Sequence, residues 1–246
     1  VFKMESEEKD DFNDYKVFGE AYYHIRSTTN LRVPRYIYTT DLIEYSSIGE
    51  KTTDGNFKAE SGIVLSLEYF LQVLFRKSAY RPGQLPILNR ALRRLPVIGL
   101  LPTGGGKSLT YQIAALLQPG LTMVIDPLKS LMKDQYEGLL KAGIDSTVYI
   151  NSSLSVSEKR ENELLLETSQ ALFTFLSPER LGMANFRDRL ESMYDRDAYF
   201  SYGVIDEVHC VSEWGHDFRF NYLHLGRNLY HYVKAKNGVI SLFGLT

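Results

Sequence analysis

The hydrophobic pattern divides the chain into two unequal parts. From about residue 95 onward, short apolar runs alternate with longer amphipathic segments. The apolar runs predict strands at 97–101, 121–125, 146–150, 171–176, 200–205 and 239–243. The amphipathic segments predict helices at 108–117, 129–141, 157–168, 185–194 and 222–233. Because continuously apolar strands must be covered on both faces, this alternation indicates a mostly parallel sheet between two layers of helices.

Residues 1–66 show no helical period. Aromatic and β-branched residues cluster at 15–18, 21–25 and 35–39, which predicts short strands, and 52–56 is a predicted turn. An amphipathic helix is predicted over Glu68 to Lys77. We therefore expect a small, mostly β N-terminal extension at 1–66 and one α/β domain at 67–246. Since the chain starts with Val1 and stops within an apolar run, we also expect it to be part of a longer protein.

Composition mainly excludes certain kinds of protein and of site. With 44% apolar and 24% charged residues the chain is typical of a globular protein, and no apolar run is long enough for a membrane helix. Its one cysteine, Cys210, excludes an intramolecular disulfide and a cysteine-based zinc site. A lone cysteine and the lack of an apolar signal core favour a cytoplasmic protein. The net charge of −2 neither indicates nor excludes nucleic acid as a partner.

A glycine-rich segment, Pro102-Thr103-Gly104-Gly105-Gly106-Lys107-Ser108, joins the strand at 97–101 to the next helix. Glycines allow a tight turn that directs several backbone N–H groups at one anion, and the amino end of the helix adds positive potential. Lysine can reach the β- and γ-phosphates and the serine hydroxyl can bind Mg²⁺. We predict that a nucleoside triphosphate is held by Thr103, Gly104, Gly105, Gly106, Lys107 and Ser108.

Two acids follow the strand at 200–205. Asp206 and Glu207 lie at its carboxyl end, where ligands bind in open α/β sheets. Asp206 is predicted to hold Mg²⁺ together with Ser108, and Glu207 to polarise the attacking water. The predicted cofactors are therefore ATP and Mg²⁺, and the predicted reaction is hydrolysis of the triphosphate.

With both segments placed, the chain from about Phe75 to Thr246 resembles the first motor domain of RecQ-type helicases of superfamily 2. The resemblance is carried by the segments 81–84, 102–108, 127–135, 177–181, 206–210, 211–219 and 244–246. It implies a RecA-like P-loop fold, a three-layer α/β sandwich, preceded here by the β-rich extension. It also implies ATP-dependent translocation on single-stranded DNA, unwinding of duplex DNA in the 3′ to 5′ direction, and work in DNA repair and recombination.

The resemblance assigns roles to further residues around the nucleotide. Arg81 and Gln84 match the segment that recognises adenine, and His209 matches the residue that links the two acids to the segment beginning at Thr246. The family places an aromatic side chain against adenine four positions before the arginine. In this chain that position is Lys77, and Tyr80 is the alternative candidate.

Contacts with nucleic acid are implied at three segments. The first two are strand-end segments that meet the DNA backbone, and the third is an aromatic-rich loop whose rings can stack on bases. The corresponding residues are Lys129, Ser130, Lys133, Ser177, Arg180, Trp214, His216, Phe218 and Arg219. The resemblance also implies a second RecA-like lobe that supplies an arginine finger, and it leaves the oligomeric state open. The lack of a long apolar run predicts no membrane contact.

Three alternatives remain open from the sequence. An RNA helicase of superfamily 2 would carry a related acidic segment, although Val208-His209-Cys210 and the aromatic-rich loop favour DNA. A non-catalytic nucleic-acid-binding module with a degenerate motor is disfavoured by the presence of Lys107, Ser108, Asp206 and Glu207. A metabolic phosphate-loop enzyme would show no stimulation by nucleic acid.

Overall fold

A computed structural model describes residues 2–3, 22–23, 36–210 and 224–246. The predicted strand at 15–18 and the residues Trp214, His216, Phe218 and Arg219 lie outside the described residues. The described strands are β1 (Phe2–Lys3), β2 (Tyr22–Tyr23), β3 (Gly49–Lys51), β4 (Phe57–Ala59), β5 (Val97–Gly99), β6 (Leu121–Ile125), β7 (Thr147–Ile150), β8 (Phe173–Leu176), β9 (Phe200–Ile205) and β10 (Ser241–Leu245). The described helices are α1 (Ser61–Phe75), α2 (Gln84–Leu92), α3 (Lys107–Leu116), α4 (Lys129–Lys141), α5 (Val156–Glu167), α6 (Pro178–Gly182), α7 (Ala184–Asp195) and α8 (Leu225–Tyr232).

The central feature is a parallel sheet with the strand order β5-β10-β9-β6-β8-β7. Each neighbouring pair in this sheet runs parallel, which confirms the predicted α/β class. In the central pair, Ile125 of β6 lies opposite Ile205 of β9. The residues that follow these two strands, Asp126 and Asp206, therefore leave the sheet side by side.

Large apolar side chains fill the layers on either side of the sheet. Phe173, Phe175 and Phe243 are fully buried on the strands, and Tyr111 of α3 packs edge-on against the ring of Phe173. Parallel strands need apolar residues on both faces because helices cover both, and this explains why the strands were recognisable as continuous apolar runs. The predicted strands and helices after residue 95 are confirmed, with shifts of a few residues at their ends.

The N-terminal region differs from the prediction, because one predicted strand is absent over its described residues and the hairpin of β3 and β4 was not predicted. Residues 36–39 form no strand, because their backbone groups bond to loops of the α/β domain: Ile37 N donates to Ser169 O at 2.6 Å and Thr40 N to Pro119 O at 3.1 Å. The strand prediction for 35–39 is therefore wrong over these residues. The predicted turn at 52–56 connects β3 and β4, which pair antiparallel. A second antiparallel pair is formed by β1 and β2.

The helix predicted over Glu68 to Lys77, α1, begins earlier than predicted. It starts at Ser61 rather than Glu68 and ends at Phe75, where Arg76 adopts a left-handed conformation with φ of 56°. The predicted division at residue 66 lies inside this helix. Just upstream, Tyr45 N donates to Leu92 O at 3.2 Å and Ile48 N to Asn89 Oδ1 at 2.9 Å, so this part of the extension packs on α2. Two helices, α2 and α6, were not predicted.

Candidate nucleotide and nucleic-acid site

The glycine-rich loop connects β5 to α3 at the carboxyl edge of the sheet. Gly104 and Gly106 have positive φ angles of 76° and 78°, a conformation that L-residues rarely adopt. Gly105 N donates to Pro102 O at 2.7 Å, which closes the turn, and α3 begins directly after Gly106, at Lys107. Thr103 is exposed and Ser108 is half-buried in the first turn of α3. The loop and the helix amino end thus have the geometry that an anion cradle requires.

Gln84 and Arg81 contact this loop. Gln84 is 1% exposed, and its Nε2 donates to Gly105 O at 3.1 Å and to Gly106 O at 2.9 Å, while its Oε1 accepts from Arg81 N at 2.7 Å. The Arg81 guanidinium donates to Gly104 O. A Cβ on Gly106 would lie 2.4 Å from Gln84 Nε2, so this approach requires glycine. The two residues predicted to recognise adenine therefore support the phosphate loop in this structure.

The two acids meet the phosphate loop. Lys107 Nζ lies 2.9 Å from Glu207 Oε1, although the two residues are a hundred positions apart in the sequence. Glu207 has φ of 49°, and left-handed backbone at a residue other than glycine often occurs at functional sites. His209 Nδ1 lies 2.6 Å from Thr246 Oγ1 and 3.3 Å from Glu207 Oε2. His209 thus lies between the acid and the segment that begins at Thr246.

A second carboxylate lies beside Asp206 and was not predicted. Gln135 Nε2 donates to Asp126 Oδ2 at 3.1 Å and to Asp206 Oδ2 at 2.9 Å, and Leu128 N donates to Asp126 Oδ1 at 2.9 Å. Burial is the main reason why the pKa of Asp126 rises to about 7, and burial also raises the pKa of Asp206. The signal available in the sequence was the position of Asp126, directly after a buried strand.

A cavity of about 640 Å³ opens beside the loop and is lined by Phe75, Lys77, Lys107, Ser108, Gln135 and Asp206, among others. Lys77 therefore borders the same space as Lys107 and Ser108, which are predicted to bind phosphate and Mg²⁺. Tyr80 is half-buried and its hydroxyl donates to Leu67 O at 3.2 Å, which turns it toward α1. Phe75 is an aromatic residue at the cavity that sequence reasoning missed.

The residues present fit a magnesium–triphosphate group. Two loop glycines with positive φ, a lysine and a helix amino end would supply the phosphate contacts. Ser108 and Asp206 line one cavity and offer the oxygen ligands that Mg²⁺ prefers. In the described part of the chain no cluster of three or more His, Cys, Asp or Glu side chains could hold a metal ion by itself.

The residues predicted to contact nucleic acid differ in their exposure and in the contacts that they make within the protein. Lys129, Ser130 and Lys133 are exposed on the first turns of α4, at the carboxyl edge of the sheet. Ser177 is half-buried just before α6. Arg180 instead pairs with the buried carboxylate of Glu163 and lies over the ring of Phe186, so its guanidinium is engaged within the protein.

The described residues contain no helix long and apolar enough to cross a membrane. A family profile described as DEAD/DEAH box helicase matches residues 81–243. The ATP-dependent DNA helicase Q1 of Rattus norvegicus is 39% identical over 183 residues, which cover 73% of this chain and 28% of that protein. The ATP-dependent DNA helicase RecQ of Haemophilus influenzae is 40% identical over 156 residues, which cover 63% of this chain and 24% of that protein.

Among solved structures, the DUF1998 helicase MrfA superposes with a TM-score of 0.58 at 16% identity, over 77% of this chain and 30% of that one, which shows a shared fold. The chain spans less than a third of the length of each of these proteins. The chain belongs to the DEAD/DEAH box helicase family and, within it, is a RecQ-type motor domain of superfamily 2.

Proposed function

We propose that this chain is the ATP-binding lobe of an ATP-dependent DNA helicase. The observation that carries the proposal is the convergence of Lys107, Asp206 and Glu207 at one cavity beside the glycine-rich loop. The named relatives are ATP-dependent DNA helicases, and their likeness to this chain supports the same activity.

Each residue of the site has a separate task in this proposal. The loop N–H groups and Lys107 bind the phosphates, Ser108 and Asp206 hold Mg²⁺, and Glu207 orients the attacking water and accepts its proton. Mg²⁺ neutralises charge on the phosphate oxygens when it is bound. The ion pair between Lys107 and Glu207 must open for this arrangement, because the phosphates need the same ammonium group.

We propose that single-stranded DNA crosses the carboxyl edge of the sheet over Lys129, Ser130 and Lys133. Their exposed side chains at the amino end of α4 suit phosphate contacts, since cations and helix N–H groups both favour the backbone of a nucleic acid. A second RecA-like lobe would close on the γ-phosphate and supply an arginine finger. Work on DNA implies a location inside the cell, in the cytoplasm or at the nucleoid of a bacterium.

The experiment is an equilibrium titration of the chain with a fluorescent ADP analogue and Mg²⁺, followed by titration with thymidine and uridine oligonucleotides. We expect nucleotide binding that Lys107→Met abolishes and DNA binding that Lys129→Gln with Lys133→Gln weakens. No nucleotide binding by the chain would contradict the proposal. A preference for the uridine oligonucleotide would favour the RNA-helicase alternative, and unwinding by the 246-residue chain alone would contradict the need for a second lobe.

A further inference from the structure

Gln135 lies where the ends of the two central strands meet. Because Ile125 and Ile205 pair in register, Asp126 and Asp206 follow them on neighbouring strands. Asp126 and Asp206 are 0% and 3% exposed. Two buried carboxylates next to one another repel when both are ionised. The side chain of Gln135, on the second turn of α4, lies between them, with Nε2 3.1 Å from Asp126 Oδ2 and 2.9 Å from Asp206 Oδ2.

The orientation of the Gln135 amide is fixed by a third partner. The hydroxyl of Tyr111, a fully buried residue of α3, donates to Gln135 Oε1. An amide has one oxygen that accepts and one NH₂ group that donates twice. Since the oxygen faces the Tyr111 hydroxyl, both N–H bonds are directed at the two carboxylates. A methionine of similar size would leave these carboxylate oxygens without this donor.

Asp206 is consequently held at both oxygens. Its Oδ1 accepts from Glu207 N at 2.9 Å and its Oδ2 from Gln135 Nε2. Asp126 is also held at both oxygens, because its Oδ1 accepts from Leu128 N in the turn that leads into α4. A continuous set of hydrogen bonds therefore joins the start of α4 to the carboxylate that faces the cavity.

We propose that Gln135 is a positioning residue, which holds the Asp206 carboxylate in the orientation that binds Mg²⁺ with the nucleotide. The inference rests on the function proposed above and adds to it a residue outside the phosphate loop and the acidic pair. Groups that hydrogen-bond to a metal-binding carboxylate fix its direction, and losing one typically costs 10- to 100-fold in metal affinity.

The test is to measure binding of a fluorescent ADP analogue with and without Mg²⁺ in the 246-residue chain carrying Gln135→Met. We expect the gain in affinity that Mg²⁺ produces to fall by about tenfold, while the affinity without metal stays within about twofold of wild type. Tyr111→Phe removes only the hydroxyl that orients the amide and should reduce the gain by a smaller factor. It serves as the second variant if Gln135→Met fails to fold.

The matched control is Gln118→Met. Gln118 is also buried and makes two hydrogen bonds, with Ile43 N at 2.9 Å and Ile43 O at 2.7 Å, but it precedes β6 and so lies at the opposite edge of the sheet. The Gln118→Met variant should have a lower melting temperature, while the gain in nucleotide affinity that Mg²⁺ produces should be unchanged. This inference alone would be overturned if Mg²⁺ raised the nucleotide affinity of Gln135→Met as much as it raises that of wild type. If only Tyr111→Phe folds, the same result in that variant would overturn it. A wild-type chain that binds no nucleotide would overturn the proposed function as well.

Discussion

The ion pair between Lys107 and Glu207 gives a prediction in which one substitution strengthens binding and stops turnover. The two charged atoms are 2.9 Å apart, and the side chains are only 18% and 17% exposed. A bound triphosphate needs the same ammonium group, so the ion pair competes with the nucleotide. Glu207→Gln keeps the size of the side chain and removes its charge.

The expected size of the effect follows from the type of bond that changes. The Lys107 ammonium stays charged in the variant, so what is lost is its attraction to the carboxylate, which contributes about 1 kcal/mol in an ion pair that is partly exposed. Glu207→Gln should therefore weaken the competing contact by about 1 kcal/mol, which tightens nucleotide binding by about fivefold. Hydrolysis should fall by about 10²- to 10⁴-fold, because the group that accepts the proton from water is lost.

The assay pairs a fluorescence titration for affinity with phosphate release for turnover. Glu137→Gln is the matched control, because Glu137 is also a glutamate paired with a lysine, Lys133, but at 3.8 Å and on the surface. We expect it to change neither quantity by more than about twofold. Weaker nucleotide binding by Glu207→Gln would refute the reasoning, since Glu207 would then assist the nucleotide rather than compete with it.

Three further predictions concern stability and the loop. Because burial raises the pKa of Asp126 to about 7, the folded chain keeps a proton that the unfolded chain releases near 3.8. Its free energy of unfolding in urea should thus fall by about 2 kcal/mol from pH 5 to 7, and Asp126→Asn should remove most of this fall. Glu163→Gln removes the carboxylate that Arg180 and Arg189 share and leaves the Arg180 guanidinium without its ion-pair partner, so it should cost about 3 kcal/mol in the same assay, against less than about 1 kcal/mol for the more exposed Glu167→Gln. Gly106→Ala places a Cβ 2.4 Å from Gln84 Nε2 at a positive φ, so nucleotide affinity should drop at least about tenfold.

The parts of the fold that were predictable are those whose burial leaves a continuous pattern. The strand at 121–125 was predicted with the bounds that the structure shows, because every residue of β6 is buried. The helix at 129–141 was also predicted with its observed bounds, and it buries only one side, at Met132 and Leu139. The hairpin of β3 and β4 was missed, since its strands have three residues each and Gly49-Glu50-Lys51 carries no apolar alternation. Aromatic residues at 35–39 suggested a strand, but their backbone partners are loops distant in the sequence.

Residues of the candidate site could be predicted where a single short segment of the sequence contains a recognisable pattern. Lys107 and Glu207 could be named because a glycine-rich turn and a strand-end acid pair each have a recognisable order of residues. The contacts of Gln84 with two loop carbonyls could not, because they depend on how α2 packs against α3. The same holds for Asp126 and Gln135, which meet Asp206 only through the register of two parallel strands.

Arg180 shows how burial decides between two assignments of one residue. The sequence assigned it to the DNA backbone, but its guanidinium pairs with Glu163, whose side chain is only 8% exposed. Moving Arg180 to a phosphate would leave that carboxylate with Arg189 alone, and breaking a buried pair costs about 3–5 kcal/mol. A hydrogen bond to a charged group returns about 1.5–3 kcal/mol, so the exchange is unfavourable. Lys133 is 62% exposed and paired only at 3.8 Å, so it can reach a phosphate at little cost, and DNA affinity should depend on the start of α4 more than on Arg180.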